Sequence, residues 1–155
     1  MEKEQLIAKL NWFYSLELNQ VDWYTAQSKT FDGTYIGQAF ARIAYMEQQH
    51  VDNIAGKIKE IGGQPTKIGD VISPILGSVA GKLISFTGLE NTLKADILLE
   101  QKAMKDYKDL IAALKAENNS DEELLKILKN NHIEEDLHTA WFAGKLRNLQ
   151  PEKEL

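Results

Sequence analysis

The chain has 155 residues, 43% of them hydrophobic, with three prolines, ten glycines, no cysteine and a formal charge of −5. That length and apolar content suffice for one packed domain without covalent staples. The missing cysteine excludes disulfides, thiolate zinc sites, iron–sulfur clusters and cysteine nucleophiles, and the acidic balance excludes the basic footprint of a nucleic-acid partner. Few prolines and glycines argue against an all-β protein, whose turns would demand more. Met1 to Gln5 lacks a charged-then-apolar secretory pattern, and no run of 18 apolar residues offers a membrane span. A soluble, cytoplasmic, single-domain protein covering residues 1–155 is the expectation.

In chain order, Leu6, Leu10, Phe13, Val21 and Tyr24 recur at helical spacing and predict a helix over about 2–29. Phe31-Asp32-Gly33 reads as a turn. Ile36, Phe40, Ile43, Val51, Ile54, Ile58 and Ile61 predict a second helix over 33–62, stopped by Gly62-Gly63 with Pro65 beyond. Residues 63–86 read as a crossover in which Val71, Ile72, Ile75, Leu76, Val79, Leu83, Ile84 and Phe86 approach amphipathic helical spacing, with Pro74 and Lys82 interrupting. Thr87 with Glu90, and Ser120 with Glu123, read as capping boxes that open helices over 88–117 and 121–149, the latter ending before Pro151. Helices of this length span roughly 40 Å each. Short turns make antiparallel hairpins of the first two and of the last two. The predicted fold is therefore all-α, an antiparallel four-helix bundle with one long crossover between helices 2 and 3.

Each of the four apolar faces is broken near its middle by a glutamate: Glu17, Glu47, Glu100 and Glu135. Apolar residues lie three, four or seven positions away on both sides, such as Phe13 and Tyr24 around Glu17, or Leu93 and Tyr107 around Glu100. The carboxylates must then point inward. An unpaired buried carboxylate is costly, and four together repel one another. Two of the four carry a histidine three residues on, Glu47-Gln-Gln-His50 and Glu135-Asp-Leu-His138, which sets carboxylate and imidazole side by side. Lone glutamates alternate in sequence with Glu-x-x-His motifs. That is the ligand set of ferritin-like di-iron and di-manganese proteins. Four negative charges match two divalent ions, and a carboxylate–imidazole set suits iron or manganese better than tetrahedral zinc. Two iron ions are the expected cofactor, with manganese as the other metal the ligands would suit.

Among neighbouring groups, Tyr24 and Tyr107 follow Glu17 and Glu100 by seven residues, within reach of a ligand carboxylate or an electron-transfer role; a satisfied core tyrosine is the competing reading. Glu134 is assigned to solvent or to a position behind the ligands, His132 to the rim, Asp96 and Asp106 to support of the ligands, and Trp12, Trp23 and Trp141 to packing.

These residues resemble the ferritin-like superfamily and, within it, the demethoxyubiquinone hydroxylase family. The resemblance rests on the spacing from Glu17 to Glu47-x-x-His50, on Tyr24 and Gln27 after the first glutamate, on Tyr107 after the third, and on Gly63-Gln-Pro-Thr followed by the apolar stretch Val71 to Leu89. It implies a di-iron centre that activates O2 or H2O2, a quinone or other lipid-like small-molecule substrate, and peripheral membrane contact through residues 71–89; association as a homodimer is a further expectation. Phe13-Tyr14-Ser15-Leu16 before Glu17 and Asp106 before Tyr107 depart from that family's pattern. Bacterioferritins and rubrerythrins share the ligand pattern more loosely. Three functions follow: an oxidase or hydroxylase, an iron-handling or peroxide-scavenging protein without an organic substrate, and a bundle in which the metals are only a structural staple.

Overall fold

The computed structural model describes residues 1–80, 88–117 and 121–149. These residues form five helices: α1 (Lys3–Thr30), α2 (Tyr35–Glu60), α3 (Ile72–Ala80), α4 (Leu89–Lys115) and α5 (Glu122–Leu149). The four long helices fall within a few residues of their predicted bounds. α1 packs along α2 and α4 along α5, while α3 lies across α4 and α1. No helix among the described residues is long and apolar enough to cross a membrane.

The α1–α2 turn is set by local chemistry. Thr34 caps α2 by accepting from the Gly37 amide at 3.0 Å. A Cβ on Gly37 would sit 2.2 Å from the Phe31 carbonyl oxygen, so only glycine fits this approach. At the far end of α2, Gly62 takes a positive φ of 80° and Gly63 donates its amide to the Ile58 carbonyl at 2.8 Å, closing the helix as Gly62-Gly63 predicts.

Both capping boxes rest on residues that lie outside the described ones, Thr87 and Ser120. α4 begins at Leu89 after Gly88, which offers no side-chain cap. α5 is opened by Asp121, whose Oδ1 accepts from the Leu124 amide at 2.9 Å. As an acidic group at a helix start, Asp121 meets both a free amide and the positive end of the helix dipole.

The crossover is half extended and half helical where described. Residues 64–71 run along α1, tied by a polar stripe at every fourth position. Asn11 accepts from the Thr66 amide at 2.7 Å, Ser15 from the Ile68 amide at 2.9 Å and Asn19 from the Val71 amide at 3.3 Å. One helical turn matches about two extended residues in length, so the two chains stay in step. Asp70 then caps α3 through the amides of Ile72 and Ser73. Pro74 is tolerated because it sits in the first turn, where its missing N–H would have no partner. Val71, Ile72, Ile75 and Leu76 are buried against Leu16, Ala95, Leu99 and Ala103. Leu83, Ile84 and Phe86 lie outside the described residues.

Two further apolar clusters fill the ends of the bundle. Leu10, Phe13, Ile54, Ile58, Tyr107, Leu110, Leu124 and Leu128 pack at one end, and Tyr24, Phe40, Ile43, Leu93 and Phe142 at the other. The four glutamates lie between them.

Candidate metal centre

Glu17, Glu47, Glu100 and Glu135 are all 0% exposed, and His50 and His138 are 1% and 4% exposed. One lone glutamate comes from α1 and one from α4, and one Glu-x-x-His pair each from α2 and α5. The helical i, i+3 step aims each histidine back at the carboxylate of its own helix.

The six groups form two overlapping sets. Glu17, Glu47, His50 and Glu135 make one, and Glu47, Glu100, Glu135 and His138 the other, each with one ligand atom per residue and all atoms within 4.8 Å of one another. Glu47 and Glu135 belong to both. The atoms divide accordingly. His50 Nδ1 lies 3.5 Å from Glu17 Oε2, 3.0 Å from Glu47 Oε2 and 3.3 Å from Glu135 Oε1. His138 Nδ1 lies 3.2 Å from Glu47 Oε1, 3.8 Å from Glu100 Oε1 and 3.6 Å from Glu135 Oε2. Each shared carboxylate therefore turns one oxygen to each set, the placement of a bridging ligand.

Both oxygens of Glu47 and of Glu135, Oε2 of Glu17 and of Glu100, and Nδ1 of both histidines make no hydrogen bond. Buried polar atoms are nearly always partnered, so eight such atoms converging from four helices fit a pair of cations. Four carboxylates and two neutral imidazoles would balance two divalent charges.

Without metal, protons must take over this neutralisation. Burial and then Glu135 push the Glu17 carboxyl up to about 8. Burial and the nearby Glu135 also raise Glu100 well above the carboxylate range. Glu135 goes the other way: burial opposes its charge, but close contacts with Glu100, His138 and His50 outweigh it and hold the carboxyl ionised. For His138, burial disfavours the imidazolium, yet contacts with Glu135 and Glu47 raise it to about 10. His50 shifts upward against burial through Glu135, Glu17 and Glu47.

A layer of hydrogen bonds stands behind the six groups. Tyr107 donates its hydroxyl to Glu17 Oε1 and Tyr24 donates to Glu100 Oε1, so both phenols touch the carboxylates on the opposite helix. Burial and the neighbouring carboxylates hold both phenols protonated, as donors. Asn131 supports Tyr107 from 3.0 Å. Glu134 meets His50 Nε2 at 2.6 Å, whereas His138 Nε2 is buried without a partner; His138 is among the residues lining a surface pocket of about 440 Å³ with Tyr35, Arg42, Met46 and Trp141. His132 is partly exposed, in a groove with Met104 and Lys105.

Other assignments shift. Trp12 and Trp23 are more than packing residues: Trp12 Nε1 donates to Asp106 at 3.0 Å and Trp23 Nε1 to Asp96 at 2.8 Å. Asp106, also paired with Lys102, is turned to the surface and supports none of the six groups. Asp96 is buried beside the centre, where Gln27 joins Trp23 in binding it. Burial pushes its carboxyl up to about 7 against those two hydrogen bonds. The sequence reading gave no role to Asn131 or to Gln20, a fully buried amide one turn after Glu17. A polar residue at the i+3 position of an inward glutamate is the signal that would have found Gln20.

Comparison with known proteins bears on this arrangement. A family profile described as "Ferritin-like domain" matches residues 7–151. A bacterioferritin from Desulfovibrio desulfuricans is 36% identical over 76 residues, 46% of this chain and 42% of that protein. The aligned chain thus spans less than half of that relative's length. An X-ray structure of D. desulfuricans bacterioferritin, described as showing its diiron site in different catalytic states, superposes with a TM-score of 0.77 at 22% identity, covering 95% of this chain and 82% of the other. At that identity the likeness shows the fold.

Proposed function

The chain belongs to the ferritin-like domain family, and on that premise we propose that it binds two iron ions among Glu17, Glu47, His50, Glu100, Glu135 and His138 and oxidises ferrous iron with O2 or H2O2. One observation carries this reading: two four-residue ligand sets share Glu47 and Glu135, each turning one oxygen to each set. Glu17 and His50 would hold one ion, Glu100 and His138 the other. Two adjacent ferrous ions held there would supply two one-electron equivalents to a single oxidant. Tyr107 and Tyr24 orient the terminal carboxylates by donating to one oxygen and leaving the other for metal. Glu134 fixes His50 with its Nδ1 toward the centre.

The similarity to bacterioferritin supports iron handling above the hydroxylation of a quinone, which the resemblance to demethoxyubiquinone hydroxylases suggests. Quinone hydroxylation stands as the finer alternative on the residues quoted for it. A purely structural role for the metals is disfavoured by the chemistry, because apolar side chains would stabilise the bundle more simply. The test is anaerobic addition of two ferrous equivalents, then O2 or H2O2 with and without a quinol. Iron oxidation at the same rate and extent without quinol supports the proposal. Oxidation that requires quinol, with a hydroxylated product, supports the alternative.

A further inference from the structure

The face of α1 that carries Glu17 and Tyr24 also carries Gln20, three residues after the first and four before the second. Gln20 is 0% exposed, and neither its Nε2 nor its Oε1 has a hydrogen-bond partner. Other buried polar side chains on α1 are engaged: Ser15 binds the crossover, Gln27 binds Asp96 and Tyr24 binds Glu100. The antiparallel contacts of Glu17 with Tyr107 and of Tyr24 with Glu100 bracket Gln20, so its amide stands at the level of the metal centre. A bundle gains nothing from a buried donor and acceptor left unmet.

We propose that Gln20 contacts the oxidant at the centre and selects H2O2 over O2. This rests on the di-iron reading above. A primary amide offers one face that donates and one that accepts, and H2O2 does both. O2 has no donor and accepts weakly, so the same amide contributes little to its binding. A site built to hydrogen-bond a ligand rejects the analogue that lacks those groups, because its own buried polar atoms are then left unpaired. In the selected reaction H2O2 takes one electron from each of two ferrous ions, its O–O bond breaks, and with two protons from solvent two waters form.

The test compares wild type with Gln20→Leu, a substitution close in size that removes both polar atoms. Each protein is loaded anaerobically with two ferrous ions per chain, and bound iron is counted. Each is then mixed with H2O2 or with O2 in a stopped-flow instrument. The proposal expects unchanged iron content, an H2O2 rate constant lowered by about tenfold and an O2 rate constant within about twofold of wild type. The metal-free variant is expected to melt at the same or a higher temperature, since two unpaired buried groups are gone. Equal slowing with both oxidants, an unchanged H2O2 rate, or a melting temperature lowered by several degrees would overturn it. Wild-type protein that takes up no iron would instead remove the parent reading, and this inference with it.

Discussion

The two halves of the centre share a ligand set and differ in what stands behind it. On one side, Tyr107 with Asn131 backs Glu17, and Glu134 anchors the outer nitrogen of His50. On the other, Tyr24 backs Glu100, but His138 Nε2 is unsupported, and His138 borders a pocket of about 440 Å³. Identical donors can therefore hold two ions with different grip, because outer hydrogen bonds fix ring orientation and ligand basicity. The anchored half is expected to fill first and empty last.

The largest effect belongs to the residues common to both halves. Glu135→Ala is expected to cut bound iron from about two per chain to near zero, since it removes one ligand from each set. Metal analysis after anaerobic loading and desalting checks this; retention of one ion would mean that Glu135 serves a single half.

Next in size is pH. The Glu17 carboxyl, raised to about 8, must lose its proton to bind metal, as must Glu100 and both imidazoles. Metal therefore competes with protons: affinity already falls with falling pH above 8, where both imidazoles and Glu100 hold protons, and falls more steeply below about 8 as Glu17 gains its own, by about tenfold per pH unit for each proton displaced. A chelator competition between pH 6.5 and 8.5, with proton release followed by an indicator dye, measures the slope. A flat profile would show the groups already deprotonated.

The histidines separate the halves directly. His50→Ala and His138→Ala are each expected to leave about one ion. The ion kept by His138→Ala should leave to a chelator more slowly, because the half that remains has the anchor. Equal release rates would erase the asymmetry. Smallest is Glu134→Ala, which leaves all six ligands in place and is expected to weaken only the His50 half, by about tenfold. Two-step metal titration resolves the change from an unaffected His138 half.

The long helices and the six ligand candidates are legible in the sequence because both follow short-range periodicities. Apolar offsets of three, four and seven define each inward face, and the Glu-x-x-His step places a donor pair on one turn. The asymmetry is not legible, because Glu134 meets His50 across 84 residues and nothing in Glu134-Glu135 says which helix the first carboxylate faces. The stripe Asn11, Ser15 and Asn19 is hidden for the same reason: its partners are backbone amides of an extended segment some 50 residues away. Two tryptophans read as packing because their bulk predicts burial, while the indole N–H that finds Asp106 or Asp96 depends on tertiary placement. The Asp121 cap of α5 is not legible either, because Ser120 and Asp121 both suit the role in sequence and the amide of Leu124 reaches Asp121 Oδ1 only through the local fold.

That acidic side chains occupy the middle of this bundle because two cations sit among them can be tested by diffraction at the iron absorption edge from crystals of the iron-loaded protein. The account predicts two anomalous peaks, one among Glu17, Glu47, His50 and Glu135 and one among Glu47, Glu100, Glu135 and His138. An absence of density between the four helices, or iron found only at the surface, would contradict it.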